Sequence, residues 1–311
     1  MAFSVLLGTG AVAAAAALLA LSGYLISRAA QQPEILVLTT AIVGVRFFGI
    51  TRALLRYAER LVSHDLAFRT LTDLRVRFFG RLVPLVPGGL PEARGADLLS
   101  RFVGDADRLQ DLYLRALGPP LVAIASGALA VTAAAIMLPV AGVVIAAELA
   151  LAGIAGPWLV RRVAQRSGRR QAPARAALTG DMVEIAGGAA EIALAGREAD
   201  WERRAAASGA RLGGVLRRDA AAAGLAAGSA VAFGALGAVA VAVVAVPAVA
   251  NGPLAGVLLA ALVLLALASL EAVAPLGAAA ASIDAVADAA VRLEDVTDRP
   301  PPVRAPAAGG P

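Results

Sequence analysis

The chain contains no cysteine and no lysine. The first absence excludes disulfides, thiolate metal sites and thiol nucleophiles. The second removes the lysine of a phosphate-binding P-loop and any Schiff-base chemistry, so no ATPase or other catalytic centre is expected within this chain. All basic side-chain charge rests on 28 arginines, and His64 is the single histidine in 311 residues. A metal centre held by two histidines of one chain is therefore excluded. Charged residues make up only 16% and aromatics 4%.

What is abundant is apolar surface. The composition is 59% hydrophobic and the mean hydropathy is +0.76. That places the chain in the membrane class, with the lipid bilayer as its first partner. Stretches of about 20 apolar residues predict membrane-crossing helices. Six are read, at about 2–27, 34–58, 116–137, 140–160, 222–246 and 253–276. The N-terminal run has no basic lead and is longer than a signal-peptide core, so it reads as a retained first span. The abundant Ala and Gly allow helices to approach closely in lipid.

The connections alternate in length. Three are short: the RAAQQP link, Leu138-Pro139, and PAVANGP. Two are long, about 59–115 and 161–221, charged yet helical in pattern. Together with the C-terminal tail, the long segments hold 24 of the 28 arginines. The positive-inside rule then puts both hairpins and both termini in the cytoplasm of a cell (inner) membrane protein. The net charge of +5 follows from this bias, and no nucleic-acid partner is expected. The expected fold class is an all-α membrane protein of six transmembrane helices with long cytoplasmic extensions. Residues 1–297 form the membrane domain. Residues 298–311, rich in Pro, Ala and Gly, read as a linker toward a missing downstream domain.

The stretch Arg52–Asp65 places Arg52, Arg56, Arg60 and His64 four residues apart. Each step of four turns about 40° round a helix, so the set stays on one broad face. Tyr57 lies two turns from His64, and Phe68 continues the stripe. Guanidinium groups match carboxylates, and a neutral imidazole ligates iron. A flat apolar ligand with two carboxylates and a metal, such as haem b, satisfies all of these. The alternative is ordinary: Arg56 and Arg60 snorkel at the inner interface, Arg60 pairs with Glu59 or Asp65, and His64 is a helix residue without a ligand. Two acids, Glu148 and Glu271, fall within spans and are expected to face the bundle interior, with Arg46 as a candidate partner for either. Asp97, Arg101, Asp105 and Asp107 read as a structural charged cluster.

Several motifs are more specific. "LALSGYLISRAA", "GVRFFGITRALLRYAERLVSHD", "LTDLRVRFFGRLVPLVPGGL", "GADLLSRFVGDADRLQDLYLRALGPP" and "SLEAVAPLGAA" resemble the CydC-type subunits of the CydDC heterodimeric ABC exporters. The resemblance covers nearly the whole chain and is densest over 19–121. It implies the type IV ABC exporter membrane-domain fold with domain-swapped helices. It also implies a CydD-like partner, and ATP-binding domains supplied in trans or missing from this sequence. Pro87, Gly88, Gly89 and Leu90, and Gly196, Arg197 and Glu198, would then lie in the turns that couple to those domains. The family supports cytochrome bd assembly, with either thiol reductants (glutathione and cysteine) or haem as cargo. In the haem reading, His64 is the axial iron ligand. Glu271 matches the family pattern and Glu148 does not. A membrane haem-binding subunit without transport, and an inactive truncated half-transporter, are the alternatives.

Overall fold

Hydrocarbon offers no water to a backbone N–H or C=O, so each group must be paired within its own segment. The chain meets this with helices throughout. The computed structural model describes residues 1–85, 109 and 112–297. Its helices are α1 (Ala2–Ala29), α2 (Ile35–Leu82), α3 (Gly118–Met137), α4 (Pro139–Gly187), the short α5 (Ala189–Leu194), α6 (Glu198–Ala250), α7 (Leu259–Val273) and α8 (Leu276–Thr297). Among the described residues, six segments are long and apolar enough to cross a membrane: Ala2–Ala29, Ile35–Leu85, Leu114–Met137, Pro139–Val163, Val231–Ala250 and Gly256–Val291. The six-span expectation holds. Among the described residues the fifth apolar segment runs from Val231 to Ala250, in agreement with the span expected at about 222–246.

Helix length separates the three long helices from the others. At about 1.5 Å per residue, α2, α4 and α6 each run for more than about 70 Å, over twice a ~30 Å hydrocarbon core. They carry the Arg-rich segments well beyond the lipid. The opposite ends are tight. One residue, Leu138, separates α3 from α4, in an extended conformation with its N–H bonded to Ala134 O at 2.8 Å. Pro139 then opens α4, where a missing N–H costs nothing. Pro275 likewise marks the break between α7 and α8.

Small residues set the packing. Ala134, Ala141, Ile145, Val241, Ala245 and Ala266 are all fully buried in one cluster that joins α3, α4, α6 and α7. In lipid, such contacts act through dispersion at close range rather than through exclusion of water. Gly23 of α1 is a contact of this kind. A Cβ there would stand 2.8 Å from the backbone carbonyl of Ala260 in α7, and backbone does not yield as a flexible side chain does. Farther along, Arg161 of α4 forks onto Asp284 of α8, its Nε and NH2 groups donating at 3.2 and 2.6 Å, and Gln165 adds a third donor at 2.8 Å.

Gly23→Ala is expected to destabilise the folded chain by about 1–3 kcal/mol, the usual cost of overpacking. Gly49→Ala, where a Cβ meets nothing within 4 Å, is the matched control and should be neutral or slightly stabilising. Thermal unfolding of the detergent-solubilised variants measures both.

Candidate functional site

The helix α2 has two functional faces. On the inward face, Arg56, Glu59 and Ser63 line a cavity of about 150 Å³ beside α1, α3 and α7. At about 100° per residue, Glu59 and Ser63 lie within about 60° of Arg56 around the axis. Arg56 NH2 donates to Glu271 Oε1 across this cavity, linking positions 215 residues apart. Glu271 is held there by the end of α7, whose last turn closes with Ala274 N–H on Leu270 O at 3.0 Å before Pro275. The partner of Glu271 is thus Arg56 and not Arg46. Arg46 lies about 15 Å farther up the helix and is exposed. Asp65 pairs with Arg69 at 3.0 Å, so it is not committed to Arg60.

Arg52 and Arg60 flank Arg56 at about 40° on either side, and Tyr57 lies about 100° round the helix. All three, with His64, are exposed, and the Arg56 side chain is itself 50% exposed. The 40° drift per four residues puts His64 about 80° away from Arg56. It falls instead into a second pattern of alternating four- and three-residue steps: Val43, Phe47, Ile50, Leu54, Tyr57, Leu61, His64, Phe68. Every apolar member of that row is more than half exposed, Ile50 at 71% and Leu61 at 62% among them. This spacing is one that suits packing against another helix. The sequence reading followed the arginines and missed this row, although its spacing was there to be read.

Haem can be tested against this geometry. The Phe68 ring stands 6.2 Å from the His64 imidazole, but both are on the exposed face. Of the stripe's arginines, Arg56 is engaged by Glu271. The cavity beside it is lined by Glu59 and Ser63 rather than His64, and at about 150 Å³ it is below the roughly 300–1,000 Å³ of small-molecule sites. The described residues of one chain do not fit a haem site at His64.

Glu148 occupies a different place. It sits in α4 at 6% exposure, with its carboxylate filling the space that a Cβ on Gly237 of α6 would take. Neither carboxylate oxygen has a hydrogen-bond partner. Arg46 does not reach it.

Of the two expected coupling turns, Pro87, Gly88, Gly89 and Leu90 lie outside the described residues, as do Asp97, Arg101, Asp105, Asp107 and the 298–311 linker. The second turn is described. Gly196 takes φ +63°, a left-handed conformation that glycine adopts without strain. Arg197 precedes α6 and Glu198 opens it. Asp200 accepts from Arg203 at 2.6 Å and from Arg197 at 3.3 Å. These bonds, the one from Arg203 first, hold its carboxyl below the usual carboxylate range. Their stabilisation is present above that range and is lost as acid protonates the group. Leu194 at the tip is 90% exposed, as a docking residue would be. Behind the turn, buried Asp181 ties α4 to α6 through Ser208 at 2.6 Å and Arg204 at 2.9 Å.

Two outcomes follow from this geometry. Arg56→Ala and Glu271→Ala should each lower thermal stability, and the double variant should lose less than their sum. A coupling of about 0.5–3 kcal/mol is expected for residues in direct contact, and the exchange Arg56→Glu with Glu271→Arg should recover most of it. Asp200→Ala should speed amide hydrogen exchange across residues 195–203 while leaving α1 and α7 unchanged.

No family model matches the chain. Similar proteins are nonetheless clear. The chain is 29% identical over 268 residues to the glutathione/L-cysteine transport system ATP-binding/permease protein CydC of Escherichia coli (strain K12), covering 85% of this chain and 46% of that protein. It is 46% identical over 81 residues to the protein of the same description in Haemophilus influenzae, covering 26% and 14%. It is 38% identical over 130 residues to the corresponding CydD of Bacillus subtilis (strain 168), covering 42% and 23%. The chain spans less than half the length of these relatives. The described helices, with six candidate membrane spans, agree with the ABC exporter membrane-domain fold. Over its membrane-spanning region, the chain is homologous to the CydC and CydD glutathione/cysteine transport ABC permease–ATP-binding proteins.

Proposed function

We propose that the chain is the membrane-spanning half of an ABC exporter for glutathione or cysteine. It works with a CydD-like half and with ATP-binding domains that lie outside residues 1–297. The match to a glutathione/L-cysteine permease over 85% of the chain carries this reading. The geometry supports it at two points. The exposed seam of α2 offers a partner helix a continuous row from Val43 to Phe68. Beyond about 20 residues of lipid-crossing helix, Leu61, Phe68, Val76 and Phe79 have no lipid to face, and a second subunit accounts for their exposure.

The cargo path then lies between the two halves. The Arg56 cavity is too small to hold a tripeptide, whereas the exposed guanidinium groups of Arg52 and Arg60 flank it, about 40° to either side of Arg56. Two such groups match the two carboxylates of glutathione. The long hairpins of α2, and of α4 with α6, act as levers that turn ATP-driven closure on the cytoplasmic side into separation of the spans. In this arrangement the Arg-rich ends and both termini are cytoplasmic, in the inner membrane. The Gly196–Glu198 turn docks onto an ATP-binding domain. Haem carriage and a role in cytochrome bd assembly receive no support from the described geometry.

The test is ATP-dependent uptake of labelled glutathione into inverted vesicles that contain the chain, its CydD-like partner and their ATP-binding domains. Uptake above that of empty vesicles is expected. Arg52→Glu combined with Arg60→Glu should slow it about tenfold, the equivalent of one charge-assisted hydrogen bond at about 1.5 kcal/mol. An intact complex that hydrolyses ATP yet moves neither glutathione nor cysteine would sink the reading.

A further inference from the structure

Glu148 is the buried ionisable group that the transport reading leaves unused. It is the tenth residue of α4, about 14 Å from the start of the helix, which is mid-membrane for a ~30 Å core. Its side chain is not turned to lipid or to an open groove, being only 6% exposed. It enters a notch in α6 that exists because residue 237 is glycine, since any Cβ there would overlap the carboxylate. In that notch both Oε1 and Oε2 lie without a hydrogen-bond partner.

The surrounding elements supply no cation. The sequence of α3 (118–137) holds no charged residue, and neither does α6 from 220 to 250. On α7 the only ionisable group is Glu271, which is bound to Arg56. On α8 the nearest described acid to the membrane is Asp284, which is bound to Arg161, with Asp288 one turn beyond. A metal ion is also unaccommodated: among the described residues no group of three or more His, Cys, Asp or Glu side chains could hold one. An isolated carboxylate in such surroundings loses its hydration with no compensation. A neutral carboxyl avoids that loss, and its O–H can donate to a helix carbonyl, which retains a second lone pair.

We propose that Glu148 is an intramembrane proton-binding site. Its carboxyl is loaded with a proton while α4 and α6 are packed through the Gly237 notch, and the O–H bond breaks to release that proton to water when the two helices part. The ligand is the proton itself, because the notch has room for nothing larger. The site goes beyond the transport reading and holds whichever cargo is moved.

The experiment uses the full chain in lipid nanodiscs. The infrared spectrum at pH 7 should contain a carboxylic-acid carbonyl band that Glu148→Gln removes and that fades as pH rises through the titration of the site. The proposal is overturned if that band is the same in both proteins. Should Glu148→Gln fail to fold, the wild-type spectrum decides, and the absence of a carboxylic-acid band at pH 7 overturns the proposal.

Discussion

Helices in a bilayer gain nothing from hiding apolar groups from other apolar groups. What holds them is contact at short range, and the length of the side chains at the contact limits that range. The chain's answer is to bring backbones together through alanine and glycine. Gly23 lets α1 lie against the backbone of α7 at Ala260. The fully buried Ala134, Ala141, Ala245 and Ala266 do the same for α3, α4, α6 and α7. The same closeness positions the chemistry. With α1 and α7 this near, the end of α7 delivers Glu271 to the inward face of α2. With α4 and α6 this near, Glu148 can sit in a notch made of missing side-chain atoms.

Much of the architecture was legible in the sequence because lipid thickness is a strict ruler. Runs of about 20 apolar residues marked the spans, and the RAAQQP, Leu138-Pro139 and PAVANGP links marked the breaks. The Ala-rich stretch after Asp219 is apolar by composition and helical in fact, so no break marks where α6 enters the membrane. Pairing was less legible still. Arg56 and Glu271 are 215 residues apart, and the sequence pointed instead to Arg46. The choice rests on helix depth and rotation, which only the packed structure supplies.

His64 shows a further limit. Two patterns overlap on α2, a four-residue step through the arginines and an alternating four-three step through the apolar residues. His64 belongs to both by arithmetic. Rotation sets it about 80° from Arg56 and on the side of the second row. A helix can thus carry one face for its own bundle and one for a neighbour, and a stripe read along the sequence does not say which it has found.

The link between α3 and α4 carries a mechanical consequence. Leu138 alone joins the two helices, and the turn is so tight that a side chain at Gly142 would press within 2.6 Å of Ala135. Neither helix has slack with which to slide along the other. The freedom left to α4 is rotation about this end, so a small change of angle at Leu138 becomes a large sweep at Gly187, some 73 Å away at about 1.5 Å per residue. The Leu138 turn is therefore the fulcrum for any swing of α4.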